Sequence, residues 1–272
     1  MPPVLLKSDE LFGDDKTGLL YDKSREISRY LLMHYGGVDD VFDRPRHPLA
    51  EAHGFPQRLS QMLRDSAART GSRVRRMLDV GCNVGGVSHA LSAWVEELVV
   101  GIDISPRSIE IAQTLARSGG GTFSIAELGP FTRDIELRLP AVGDRAEVRF
   151  EVGDAGALDA LPGGCDAVLL SNVLDRVDDP AACLEQFSAT SDILRPGGLL
   201  MIACPWSWHP EFSHPGTWFG SAEDRTSSED ALKRLLKDGF TLVDEADQAA
   251  VLRQNPREYD YFEAHVTVWQ KH

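Results

Sequence analysis

The sequence predicts an α/β fold built on a mainly parallel sheet and preceded by an N-terminal helical lid. Three observations carry this. From Arg75 onward short apolar runs alternate with helical patterns, the first run ends in a glycine loop, and the pattern before residue 74 is helical. With 272 residues, 42% of them hydrophobic, the chain is long enough to bury a sizeable core. The lid is expected over residues 1–73 and the sheet domain over 74–272.

Within the lid, Ile27, Tyr30, Leu31 and His34 recur at i, i+3, i+4 and i+7, and Gly36 with Gly37 supplies the stop. A loop rich in Pro, His and Arg follows at 43–48. Leu59, Met62 and Leu63 then mark a second amphipathic segment. Strands are expected at 77–80, 98–102, 148–152, 167–170, 199–203, 240–243 and 266–269, separated by helices, as βαβ units require. Residues 119–145 fit that alternation poorly. Their glycine runs and the alternating Ile135, Leu137 and Leu139 predict an inserted surface excursion with a small hairpin.

Composition narrows the function. Asp and Glu total 42 against 28 for Lys and Arg, a formal charge of −14, so phosphate backbones and anionic lipid surfaces are repelled on average. Neither a nucleic-acid nor a membrane partner is expected. Cys82, Cys165, Cys183 and Cys204 lie far apart without a CxxC pair, which indicates reduced thiols rather than a disulfide framework or zinc ribbon. The N-terminus turns acidic before any signal-like core is complete, and no stretch approaches a membrane span, so a cytoplasmic location is expected.

Ligands of parallel sheets sit beyond the carboxyl ends of the strands. The first strand ends in LDVGCNVGG, where Gly81, Gly85 and Gly86 allow a tight turn and close approach of backbone N–H groups. Asp79 opens this loop, and no Lys or Arg falls between Leu78 and Ser88. A pyrophosphate would be repelled there, whereas a ligand carrying an ammonium and a sulfonium would be attracted. That favours S-adenosylmethionine over NAD. The second strand ends in GIDIS, placing Asp103 about 20 residues beyond the glycine loop, as a ribose-diol acceptor requires. Ile104 beside it suits an adenine face. The third strand runs into Asp154 and Ala155, the fourth into Asn172, and LRPGGLL supplies a further half-unit.

Taken in order from Arg75 to Ala203, LDVGCNVGG, GIDIS, VGDA, VLLSNVLD and LRPGGLL resemble class I S-adenosylmethionine-dependent methyltransferases. The resemblance implies a Rossmann-like sheet of seven strands with the last antiparallel. It also implies cofactor contacts from Asp79, Gly81, Asn83, Gly85, Asp103, Ile104, Asp154, Ala155 and Asn172. The flanks YDKS, YLLMHYG, NVLDR, CPWSW, WFG, Arg253 with Arg257, and TVW look like the mercaptohistidine Nπ-methyltransferase of ovothiol biosynthesis, over residues 15–271. Asn83, Gly86 and Trp206 depart from that pattern. In many members a sulfoxide synthase precedes this domain. The resemblance here implies a standalone enzyme with a functional link to a separate synthase, acting on a small zwitterionic amino-acid-derived substrate.

A neutral imidazole nitrogen already attacks a sulfonium methyl, so alignment and removal of water matter more than a strong base. An acceptor that fixes the tautomer is expected from Asn172 or Asp175. Tyr21, Tyr35, Trp206 and Trp208 are candidate walls for the ring, and Arg176 or Arg253 a partner for the substrate carboxylate. Tyr30 and His34 read as packing. No metal is expected, because His209, Glu211 and His214 have a Pro-broken spacing and the reaction needs none. Plain histidine or another small amino acid is the rival acceptor. An NAD-dependent oxidoreductase is disfavoured by Asp79, and a non-catalytic cofactor-binding subunit by the cleft aromatics and Arg253.

Overall fold

In the computed structural model, which describes residues 2–13, 19–44, 46–139, 145–158, 164–188 and 190–272, the chain opens with a short strand. The parts of the expected lid and excursion at 1, 14–18, 45 and 140–144 lie outside the described residues. That strand, β1 (Val4–Leu6), precedes α1 (Ser24–Tyr35), the single turn α2 (Val38–Val41) and α3 (Phe55–Thr70). The apolar stripe of α1 buries Ile27 and Leu31 completely. α3 starts on Pro56 in its first turn and stops at Gly71, whose left-handed backbone (φ +68°) returns an N–H to the carbonyls of Ala67 and Ala68.

The central sheet then builds in the expected alternation: β2 (Arg76–Val80), α4 (Gly86–Leu91), β3 (Leu98–Asp103) and α5 (Pro106–Ser118). After these come the hairpin β4 (Gly120–Ala126) and β5 (Thr132–Arg138), then β6 (Glu147–Val152), β7 (Cys165–Ser171) and α6 (Pro180–Glu185). β8 (Leu194–Cys204), α7 (Ser228–Leu236), β9 (Phe240–Asn255) and β10 (Glu258–Lys271) complete the chain. The sheet order is β6-β3-β2-β7-β8-β10-β9, with β10 antiparallel to both neighbours and the other β pairs parallel. This is the expected Rossmann-like sheet with its last strand reversed.

Successive residues of a strand point to opposite faces, and here both faces are covered. Met77, Leu169 and Met201 pack with Leu59 and Leu63 of α3 and Leu91 of α4. Leu78, Val168 and Ile202 pack on the other side with Leu184, Phe187, Leu232 and Leu236. Burying a side chain of this size contributes roughly 1.5–3 kcal/mol, so α3 is held to the sheet as firmly as the crossover helices are. The expected boundary at residues 73 and 74 is therefore a change of sequence pattern and not a break in packing.

Three further expectations change. The 119–145 segment forms the β4–β5 hairpin, but β1 adds to β4 in parallel to make a second, three-stranded sheet. Its inner face is buried: Phe123, Ile125, Ile135 and Leu137 pack with Ile27 and Leu31 of α1. The segment is thus the platform under α1 as well as a surface feature. The final strands run far beyond the expected 240–243 and 266–269, because β9 is an edge strand whose outer half carries Asp244, Glu245 and Asp247, and its polarity hides the strand pattern. β8 begins before the Pro-Gly-Gly turn, with Leu194 paired to Cys165 and an irregularity in the ladder where the turn is absorbed. All four cysteines are buried and free, and no described helix is long and apolar enough to cross a membrane.

Candidate functional site

The parallel strands deliver their carboxyl ends to one cavity of about 410 Å³. β2 contributes Val80 and the loop residues Gly81, Cys82 and Asn83; β3 contributes Asp103 and Ile104; β6 leads to Asp154 and Ala155; β7 leads to Ser171, Asn172 and Val173. Across from these stand Tyr21, Tyr30, Met33 and His34 from the N-terminal segment, with Phe55 of α3 and Arg176 from the short turn Leu174–Arg176.

The loop after β2 is held by hydrogen bonds its sequence dictates. The N–H groups of Gly81 and Cys82 both donate to the Ile102 carbonyl, at 2.8 and 2.9 Å. Gly81 has φ +77°, and a Cβ there would lie 2.3 Å from Val173 Cγ2, so only glycine fits. Gly85, at φ +86°, is placed differently: its Cβ would strike the Phe150 ring at 2.5 Å, which marks close packing of the loop on β6 away from the cavity wall.

Asp103 is almost fully buried. Its Oδ2 accepts from the Asn83 N–H at 2.8 Å and its Oδ1 from the Ser105 N–H at 2.9 Å. Burial raises its pKa, while those two backbone bonds pull the other way. A carboxylate has about four lone-pair sites, so one on each oxygen is left for a diol. Asp154 Oδ1 accepts from the Gly156 N–H, and Ile104 is half exposed on the cavity rim.

Asn172 has a left-handed backbone (φ +56°), and its buried Oδ1 has no hydrogen-bond partner among the described residues. Asp79 lies one layer behind the wall, fully buried. Its Oδ2 accepts from Ser88 Oγ at 2.6 Å, and its Oδ1 is likewise without a partner. Burial, opposed by Ser88 and reinforced by the nearby Asp103, pushes the Asp79 carboxyl up to about 7. Unpaired buried acceptors are costly. An ammonium group in the cavity is the kind of ligand that meets the Asn172 oxygen and draws Asp79 into its charged form, so the residues present fit the expected S-adenosylmethionine.

Tyr21 is fixed by its neighbour: Asp22 Oδ1 accepts from Ser105 Oγ at 2.5 Å, and the Asp22 carbonyl accepts from Arg107. Burial raises the Tyr21 phenol, against the pull of the Arg176 guanidinium beside it. Arg176 donates to the carbonyl and hydroxyl of Ser207 at 2.9 and 2.8 Å and lies over the Phe212 ring at 4.9 Å.

Several expected residues are elsewhere. Asp175 is fully buried and off the wall, because its turn points it inward: Oδ2 accepts from the Ser207 N–H and Oγ and pairs with Arg176 at 2.9 Å. Tyr35 also faces away, donating to the Val84 carbonyl at 2.7 Å. Trp206 has φ +54°, which turns the CPWSW segment away from the cavity. Its indole donates to His265 Nδ1, and Trp208 donates to Ser228 Oγ, in an aromatic cluster with Trp218 and Phe219. Arg253 is buried against the hairpin, donating to the Ala126 carbonyl and pairing with Glu127 at 2.9 Å and Asp43 at 3.4 Å. These five do not line the cavity.

Tyr30 and His34, read as packing, do line it. The available signal was their i, i+4 spacing with Met33 on the face of a helix that ends against the glycine loop. His209 and Glu211 lie 3.8 Å apart on an exposed turn, and His214 Nδ1 accepts from the Gly216 N–H. Among the described residues no three His, Cys, Asp or Glu side chains are grouped to hold a metal.

A family model described as a methyltransferase domain matches residues 51–245. The chain is 29% identical over 162 residues to a ubiquinone biosynthesis O-methyltransferase of Xanthomonas campestris, covering 59% of this chain and 53% of that protein. It is 27% identical over 244 residues to an O-methyltransferase of Penicillium expansum, covering 88% and 76%. An ajmaline N-methyltransferase of Rauvolfia serpentina matches at 30% over 105 residues, 39% of this chain and 28% of that one. The chain spans about half the length of the ubiquinone-biosynthesis relatives it matches. Among solved structures, magnesium protoporphyrin IX methyltransferase from Synechocystis, with bound SAM, superposes with a TM-score of 0.55 at 16% identity, covering 93% of this chain and 94% of that one. That likeness is one of fold.

Proposed function

The chain belongs to the methyltransferase-domain family, and from that premise we propose that it is an S-adenosylmethionine-dependent N-methyltransferase acting on the imidazole Nπ of mercaptohistidine, in ovothiol biosynthesis. One observation carries the reading: a single cavity whose wall holds Asp103, Ile104, Asp154 and Ala155 together with Tyr21, Asn172 and Arg176. Its volume falls in the ~300–1,000 Å³ range of small-molecule sites. The mercaptohistidine assignment is supported by the flank motifs over residues 15–271.

S-adenosylmethionine supplies, when bound, a sulfonium methyl that is already activated. The protein's task is therefore to bind, orient and exclude water. Asp103 offers its remaining lone pairs to the ribose hydroxyls, and Ile104 covers the adenine face with Asp154 and Ala155 beside it. Gly81 and Asn83 let the backbone approach the methionine part, Asn172 Oδ1 accepts from the ammonium, and Asp79 behind the loop supplies the charge that favours a cation. Arg176 pairs with the acceptor carboxylate, and Tyr21 with Tyr30 flanks the ring. Asp175 acts on this site by holding Arg176 and Ser207. The reading places the reaction in the cytoplasm, downstream of a sulfoxide synthase.

The test is product analysis. With methyl-labelled S-adenosylmethionine and mercaptohistidine, NMR should show a new N-methyl on Nπ, at a higher kcat/KM than with histidine. Methylation at Nτ, at oxygen, or of histidine in preference would overturn the acceptor assignment.

A further inference from the structure

We propose that His34 is a fixed, neutral hydrogen-bond donor of the cavity, with its Nε2–H placed to meet a ligand carboxylate. The inference rests on the reading above and deepens it.

His34 sits in the last turn of α1, and its Nδ1 accepts from the Gly86 N–H at 3.0 Å. An imidazole whose Nδ1 is an acceptor carries its proton on Nε2. Burial holds the ring's pKa down at about 4, so it is neutral at physiological pH. The side chain lines the cavity, and Nε2 has no hydrogen-bond partner among the described residues. With Nδ1 occupied and Nε2 protonated, the ring is closed to service as a base. It donates.

The ring is also held in place. A Cβ on Gly86 would lie 2.5–2.7 Å from the His34 Cβ, Cγ and Nδ1, so the glycine that departs from the family pattern is what admits the histidine. One residue on, Tyr35 Oη donates to the Val84 carbonyl, a second tie between the end of α1 and the same loop.

The charge balance of the wall says what Nε2–H is for. Asp103, Asp154, Asp178 and Asp179 line the cavity, and among the described residues Arg176 is the one Lys or Arg that does so. Cofactor and amino-acid acceptor each carry a carboxylate, which an acidic wall repels, and one guanidinium serves one of them. His34 serves the other. A neutral donor does so without placing a second cation beside a sulfonium.

The variants His34→Asn and His34→Gln separate the ring's two nitrogens. Asparagine retains an acceptor near Nδ1 and lacks the distal N–H; glutamine restores a donor near Nε2. Titration calorimetry uses S-adenosylhomocysteine and 5′-methylthioadenosine, which lacks the amino-acid part. If the carboxylate is the cofactor's, His34→Asn weakens S-adenosylhomocysteine by about tenfold, or about 1.4 kcal/mol, and leaves methylthioadenosine unchanged. If it is the acceptor's, both Kd values hold while acceptor KM rises by about tenfold with kcat little changed. In either case His34→Gln retains more function than His34→Asn, and long-range proton–nitrogen NMR of the wild type at pH 7 shows the proton on Nε2. A proton on Nδ1, equal losses in the two variants, or His34→Asn matching wild type in both Kd values and in acceptor KM would overturn the donor role alone. A wild-type protein that binds neither nucleoside would overturn the functional reading as well.

Discussion

The chemistry of Asp79 departs far from its usual state. An ordinary Asp carboxyl titrates near 3.8, and burial takes this one to about 7. Between those values the folded protein holds a proton that the unfolded chain has released. Stability is therefore lost as pH rises through the window, and the loss is complete above about 7. Asp79→Asn should make the ligand-free protein more stable than wild type above pH 7, by an amount of order 4 kcal/mol, with the difference gone below about pH 4. Urea unfolding across that range measures it; an advantage that grew towards low pH would contradict the buried neutral carboxyl. Gly81→Ala should cost about 1–3 kcal/mol from its positive φ and the Val173 contact, and should weaken S-adenosylhomocysteine binding because the strain sits on the cavity wall. Gly81, Asn83, Asp103 and Asp154 were legible as residues of the cavity because a strand end fixes where they stand. Trp206 and Trp208 follow a strand end too, but the left-handed backbone of Trp206, two residues beyond β8, sends both rings to the cluster with His265 and Phe219, and nothing local in CPWSW signals that turn.

At the scale of elements, α1 is tied to the glycine loop at its end and rests on the β4–β5 hairpin along its length. Its ordering and the cavity's shape are therefore one event. Tyr35→Phe removes one tie and should cost about 0.5–1.5 kcal/mol, with faster amide exchange in residues 81–86 as the specific readout. Arg253 belongs to this level. It joins β9 to the hairpin through Ala126 and Glu127 and to the α2 loop through Asp43. Arg253→Ala empties a buried position and removes one partner from the half-buried Glu127, which keeps Arg133, and from the Ala126 carbonyl; it should cost about 1–3 kcal/mol of stability, with S-adenosylhomocysteine Kd unchanged. A large change in Kd at unchanged stability would return Arg253 to the ligand site. The flank resemblance singled out Arg253 in the sequence, but a lone charged residue reads the same whether it meets a ligand or a neighbouring element.

Across the whole molecule, the carboxyl ends of β2, β3, β6 and β7 converge on one opening, and ligand binding should stabilise the entire fold. S-adenosylhomocysteine at one hundred times its Kd should add about 2.7 kcal/mol, seen as a higher unfolding temperature, while NAD at the same concentration should add nothing. Stabilisation by NAD would reverse the charge argument made from the glycine loop.

The sequence by itself determined the α/β class, the order of the strands along the chain and the strand-end residues that line the cavity, because alternation of apolar runs and residues at strand ends are local consequences of backbone geometry. Tertiary structure decided what faces the cavity from outside the sheet. It brought in His34 and Tyr30, withdrew Trp206, Trp208, Asp175 and Arg253, and turned residues 120–138 into the floor beneath α1. Those outcomes depend on contacts between segments distant along the chain, where a single positive-φ residue or a missing Cβ redirects a side chain, and sequence periodicity carries no record of such contacts.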